Sequence, residues 1–305
     1  MPDATLRPMT LGEVLDRTFS LYKSRFWLFV GITAAPNLIF LFFSLASALI
    51  TRGRIGMVNP GSNPLEFSPA VWGETAVRTT IIFVLYFCVV SAVHSATVFA
   101  VSDSYMGLAA SIRGSYRKVG ARFFRVLIMI LLFFVAIVSA FVVVAIVGGV
   151  LRSPVVIILG FLFLIVPIVI LACRMSVVVP VAMLENAGAI RAIERSFQLT
   201  KGFVGQIFLI LLLVLVLTYV AIIILQMPTI ILAAISVAAH KQPSLLVIVI
   251  QQIAGFVSQV LVGPIGTIAF SLMYYNLRVR KEAFDIQYLM ASMDANPAPS
   301  APSAA

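Results

Sequence analysis

Polar side chains inside apolar surroundings are few in this chain, and any chemistry has to start from them. His94 lies among Ser91, Ser95 and Thr97. A histidine at membrane depth can relay a proton or contact a substrate inside a helix bundle; more commonly it is a hydrogen-bonded packing residue. Gln251, Gln252 and Gln259 place amides in one late apolar run, and Gln226 places another in the run before it. Gln252 and Gln259 are seven residues apart and share a helix face. Hydrogen bonding between helices is their expected role, and a cavity shared with Gln226 is the alternative. Asp103 and Glu185 each close an apolar run, with Asn276 as the uncharged counterpart. They are expected to bond the first turns of the segments that follow, or to pair with Arg113 and Arg191. Arg174 is the only basic residue close to the interior of a run, so it is expected to snorkel or to pair with Glu185.

Hydrolysis would need more than this. A metal-dependent phosphodiesterase requires acidic ligands and a pair of groups for proton transfer. The two histidines, His94 and His240, are predicted at different depths, and the 11 acidic residues are scattered. GxSxG, HExxH and phosphate-loop motifs are missing. Cys88 and Cys173 both fall in apolar runs and read as small fillers rather than metal ligands or disulfide partners. No catalytic residue, metal or cofactor is expected.

The elements that carry these groups are long and apolar. Hydrophobic residues make up 62% and charged residues 10%, far from the roughly one quarter charged of a soluble domain. Runs of 18 or more apolar residues are long enough to cross a hydrocarbon layer of roughly 30 Å as helices. Six spans follow, at about 27–50, 79–101, 124–150, 154–182, 204–236 and 245–274. The class is an all-α integral membrane protein. Pro36, Pro167, Pro180 and Pro264 should kink their spans. Gln226 and Pro228 interrupt the fifth, and the alternative there is a separate half-helix over 228–239. The first apolar run is too long for a cleavable signal core, so the first span is expected to stay.

Charge sets the orientation. Of the 21 Lys and Arg residues, 16 fall before span one, between spans two and three, between spans four and five, and after span six. Five, Arg52, Arg54, Arg78, Arg152 and Lys241, fall on the other side. The basic side should be cytoplasmic, with both termini inside a bacterial inner membrane. The net charge of +10 is accounted for by these flanks, and nucleic acid is not an expected partner. The segment 51–78, with Gly53, Gly56, Pro60, Gly61, Pro64 and Pro69, reads as a long outer loop. Trp27 and Trp72 are expected to anchor at the inner and outer interfaces. Residues 1–290 form one transmembrane domain, and 291–305 read as a disordered tail.

The inner segments resemble one another. Leu15, Thr18, Phe19 and Phe26 precede span one; Ile112, Ser115, Tyr116 and Phe123 precede span three; Ile193, Ser196, Phe197 and Val204 precede span five. The spacing puts the aliphatic residue, Phe19, Tyr116 or Phe197, and the later apolar residue on one helix face. Three repeat units follow, at about 8–103, 108–184 and 188–276, each an amphipathic helix followed by two spans. The amphipathic helices should lie in the inner leaflet, apolar face down, with Lys and Arg near anionic headgroups.

Several stretches carry a family likeness. The opening Met9 to Arg17, the segment Ala189 to Lys201, and above all Tyr274 to Asp285 resemble the glycerophosphoryl diester phosphodiesterase membrane-domain proteins of bacteria. That family usually has Asp and Gly where this chain has Asn276 and Ala283. The likeness covers nearly the whole chain and is confined to the membrane region, so no catalytic domain is expected here. The favoured function is a non-enzymatic inner-membrane protein that organises lipid or binds a protein partner through its cytoplasmic helices. A transporter or permease-like protein for a lipophilic or small substrate comes second. A lipid-modifying enzyme comes third.

Overall fold

The computed structural model describes residues 8–55, 69–238 and 244–282, all helices and short connections, with no strand among them. In order the helices are α1 (Leu11–Ser24), α2 (Phe26–Ile55), α3 (Pro69–Tyr105), α4 (Ile112–Val119) and α5 (Arg122–Val150). Then come α6 (Pro154–Met175), α7 (Val178–Leu184), α8 (Ala189–Thr200), α9 (Val204–Ala238) and α10 (Leu245–Glu282). Six stretches are long and apolar enough to cross a membrane: Phe26–Ile50, Gly73–Tyr105, Arg122–Val150, Pro154–Leu184, Val204–Ser236 and Leu245–Glu282. The chain is a multi-pass helical membrane protein. In lipid each backbone N–H and C=O must be bonded within the chain, and only a helix does that within one segment.

The helix boundaries follow local chemistry. Thr10 caps α1, accepting from the Glu13 N–H, while the Glu13 carboxylate accepts from the Thr10 N–H. Ser111 caps α4 and Ser153 caps α6, whose first residue is Pro154. The fourth span breaks between Met175 and Val178. The Pro180 ring conflicts with the carbonyl four residues back, that of Ser176, so the break falls where the proline requires it.

One expectation is corrected, and one alternative is closed. Segment 51–78 is not one long loop: α2 continues to Ile55 and α3 begins at Pro69. Pro69 is the first helical residue, where its missing N–H costs nothing. What separates these helices, 56–68, and the side chains of 51–72, Trp72 included, lie outside the described residues. The fifth span does not split at Pro228; α9 runs through it to Ala238. His240, Lys241 and the tail 291–305 also lie outside the described residues.

The core is at one end of the bundle. Ala96 to Val101 of α3, Val177 to Met183 around α7, and Ile268 to Leu277 of α10 are buried, with Val14 of α1 and Ala192 and Leu199 of α8 packed on them. No residue in the most apolar stretch of α5 or of 154–184 is fully buried, though many are half-buried. Their packing on each other is close, since a Cβ at Gly148 would meet the Ile157 side chain at 2.1 Å. At 37 and 38 residues, α3 and α10 are each about 55 Å long, nearly twice the roughly 30 Å hydrocarbon layer.

Candidate functional site: a polar seam and a basic collar

Helices α3 and α10 meet in parallel with a constant register. The His94 Nδ1 lies 2.5 Å from the Thr267 hydroxyl, an offset of 173 residues. Two turns further in, the Tyr275 hydroxyl donates to Ser102 Oγ at 2.9 Å, again 173 residues apart. The Tyr275 ring stacks on Tyr105 with centroids 5.0 Å apart, and the Arg17 guanidinium sits 4.9 Å from the Tyr105 ring centre. Ser91 Oγ and Thr97 Oγ1 are buried beside this seam with no hydrogen-bond partner among the described residues. His94 is thus a bridge between two helices. Among the described residues, no three His, Cys, Asp or Glu side chains come together to hold an ion.

Nearer the other end, the seam opens into a cleft of about 200 Å³ between α2, α3 and α10. Asn37, Ser44, Tyr86, Gln252 and Gln259 give it its polar lining, with the rings of Phe40 and Phe256 beside them. At about 1.5 Å per residue, Asn37 is roughly 16 Å and Ser44 roughly 27 Å along α2 from Phe26. The cleft therefore lies at hydrocarbon depth. It differs from the expected cavity, which would join Gln226 to the glutamines of α10. Of the glutamines only Gln252 and Gln259 line it; Gln251, about a quarter-turn round α10, does not, and Gln226 sits half-buried on α9. Asn37 and Tyr86 are lining residues that sequence reasoning does not single out. The available signal is a polar residue beside a mid-span proline, Pro36, and a tyrosine far from either end of its span.

At the inner ends of the spans, polar residues hold the short helices. Both Asp103 carboxylate oxygens accept from Lys118 of α4, at 2.6 and 2.7 Å. Glu185 accepts from Arg195 of α8 at 3.1 Å and from the Tyr274 hydroxyl at 3.0 Å. Arg195 also reaches Glu282, which Arg278 holds from one turn away. Burial alone would lower the Arg195 guanidinium, but the Glu185 and Glu282 carboxylates raise it and keep it charged. Asn276 closes the circle: its side-chain oxygen accepts from the Met9 N–H at 2.8 Å, just before α1, and Arg280 donates to the Met9 carbonyl at 2.7 Å. The predicted partners Arg113 and Arg191 are not used. Lys118 and Arg195 sit on the sides of their helices that face α3 and α10, whereas Arg113 and Arg191 point out and are exposed. Nor does Arg174 pair with Glu185. It donates to the Phe197 carbonyl at 3.4 Å, its guanidinium 5.6 Å from the Phe197 ring centre.

The face by which each short helix packs on the bundle lies one residue from the aromatic face expected to meet lipid. Val14 and Thr18, Ser115 and Val119, and Ala192, Ser196 and Thr200 are buried, whereas Phe19 is 40% exposed and Tyr116 and Phe197 are half-buried. Small hydroxyl residues let backbones approach closely. Ser196 Oγ donates to the Arg174 carbonyl at 2.6 Å. Tyr116 reaches across to another helix, where its hydroxyl donates to the Ile32 carbonyl at 2.6 Å. Pro36, four residues on, has no N–H for that carbonyl, and Tyr116 supplies the missing donor. Burial pushes the Tyr116 hydroxyl well above its ordinary pKa, so it stays a donor. Tyr22, raised by burial too, donates to the Leu261 carbonyl of α10 beside Pro264.

Six cations of this end face outward. Lys23, Arg25, Arg113, Arg117, Arg191 and Lys201 are exposed. None of them has an ion pair, side-chain hydrogen bond or ring contact among the described residues. No family model, curated protein or solved structure matches the chain.

Proposed function

We propose that this chain is a non-enzymatic protein of a bacterial cytoplasmic membrane, with both termini inside, that gathers anionic lipid around a collar of cytoplasmic helices. One observation carries the reading. Among the described collar cations, Lys118, Arg195 and Arg278 are paired with carboxylates and others bond carbonyls or lie over rings, whereas Lys23, Arg25, Arg113, Arg117, Arg191 and Lys201 are exposed and unpaired. The fold does not need these six. Apolar side chains are exposed close by in sequence, among them Trp27 at 80%, Ile112, Phe124 and Ile190. Cations beside exposed aromatic and aliphatic groups suit a headgroup boundary, where each Lys or Arg contributes about 1 kcal/mol toward an anionic surface. The order of a short helix followed by long ones, met at α1, α4 and α8, supports a three-unit repeat, as does the likeness to phosphodiesterase membrane domains. A protein partner on the same collar is the second use of this surface. The permease reading is weaker, because His94 and Gln226 do not share the cleft with Gln252 and Gln259.

The test is lipid selection. Purified from nanodiscs of equal phosphatidylglycerol and phosphatidylcholine, the protein should retain phosphatidylglycerol in several-fold excess by mass spectrometry. Replacing Lys23, Arg25, Arg113, Arg117, Arg191 and Lys201 together by Gln should remove that excess and leave the fold intact. Equal retention of the two lipids by the native chain would overturn the reading.

A further inference from the structure

The cleft between α2, α3 and α10 points to a ligand that the collar does not explain. Gln252, Gln259 and the Tyr86 hydroxyl have no hydrogen-bond partner among the described residues, and all three line the same cleft, Gln252 half-buried and Gln259 and Tyr86 exposed. Asn37 also lines the cleft; one of its amide N–H groups donates to the Thr33 carbonyl at 2.8 Å, and its side-chain oxygen accepts from none of the described residues. Unpaired amides at hydrocarbon depth are costly, and a folded membrane protein does not leave several of them side by side without something to bond. What occupies the cleft must therefore bring both donors and acceptors.

The lining also says what the occupant is not. No charged side chain lines the cleft, so a phosphate or carboxylate would lie there without a counter-charge in a medium that disfavours it. The rings of Phe40, Tyr86 and Phe256 offer apolar contact alongside the amides. About 200 Å³ suits a small polar group with the start of a chain, the remainder extending into lipid. We infer that the cleft binds an uncharged amphiphile, a glyceride-like molecule whose hydroxyl or ester groups bond Gln252, Gln259, Tyr86 and Asn37 at hydrocarbon depth. This inference does not rest on the lipid-gathering collar, and the two fail separately.

The experiment uses the full chain in nanodiscs with a dioleoylglycerol analogue carrying a photoreactive acyl chain. Irradiation should mark peptides of α2, α3 and α10 around Asn37, Tyr86 and Gln252, with phosphatidylglycerol unable to compete. The Q252L/Q259L variant should lose labelling at least tenfold while unfolding no earlier than the native protein. Tyr86→Phe, which removes a single oxygen, should lose it severalfold. Gln251→Leu, outside the cleft on the same helix, should label as the native chain does. The sixfold Gln variant of the collar should label normally too. Even labelling of all spans would overturn the inference. So would native-level labelling of Q252L/Q259L, effective competition by phosphatidylglycerol, or a native dimer cross-linked through the cleft in place of the glyceride.

Discussion

Tyr116 shows how a single side chain can be required by a residue eighty positions away. Pro36 sits inside α2 and withholds the N–H that the Ile32 carbonyl would otherwise accept. Ile32 is fully buried, so water is not there to replace it. The Tyr116 hydroxyl does so from another helix. Tyr116→Phe removes the donor without altering the ring, and the orphaned carbonyl should cost about 1–3 kcal/mol. The expected result is an unfolding midpoint in detergent lowered by several degrees. The decisive arm is a cycle with Pro36→Ala. Alanine restores the helix's own donor to Ile32, so in that background Tyr116→Phe should cost little. Equal losses in both backgrounds would show that the hydroxyl acts elsewhere. The two residues are not legible in sequence as a pair. Pro36 reads as a kink and Tyr116 as a lipid-facing aromatic, because the bond between them depends on how α4 crosses α2.

At the scale of elements, the long helices are legible in the sequence and the docking of the short ones is not. Six apolar runs appear in the structure as six helices that can cross a membrane, because segment length against the hydrocarbon layer is a local property. The break before α7 is legible for the same reason, from one proline. The start of α3 is not, because Pro69 reads as a loop residue and is also a good first helical residue. Apolar periodicity names Leu15, Phe19, Ile112, Tyr116, Ile193 and Phe197 as the lipid-facing side. The face packed on protein runs through Thr18, Ser115 and Ser196. Protein and lipid are both apolar environments, so a pattern of apolar residues does not say which of the two a face meets. The small hydroxyls, present in all three segments, are the usable signal. The sharp test is on α8. Ser196→Leu places a large side chain where the hydroxyl now meets the Arg174 carbonyl, and it should cost about 1–3 kcal/mol by overpacking. Gln198→Leu, on an exposed position of the same helix, should change stability little. A Gln198→Leu protein as damaged as Ser196→Leu, judged by midpoint in detergent, would put the docked face elsewhere.

For the whole molecule, the question is which way the bundle sits and how deep. The core gathers where α3 and α10 end, and those helices exceed the hydrocarbon layer by about 25 Å. α1, α7 and α8 pack on the buried ends of α3 and α10, and under the proposed placement that end is the part left to project from the bilayer. The charge divides in the same way along the sequence: 16 of the 21 Lys and Arg residues fall before span one, between spans two and three or four and five, or after span six. A basic end resists translocation, and the proposed cytoplasmic placement of the collar rests on that. Single cysteines in a Cys88→Ala, Cys173→Ala background give the readout. Cysteine at Arg152, in the turn between α5 and α6, should react with an impermeant maleimide added to intact spheroplasts. Cysteine at Arg113 or Lys201 should react only after the membrane is opened. The depth follows from the same reagents on α10. After opening, Arg280→Cys should react readily, while Gln252→Cys should stay protected. Rapid reaction of Arg113→Cys in intact spheroplasts would invert the molecule. The collar cations would then face the outside, and an attraction to inner-leaflet headgroups would have no surface on which to act.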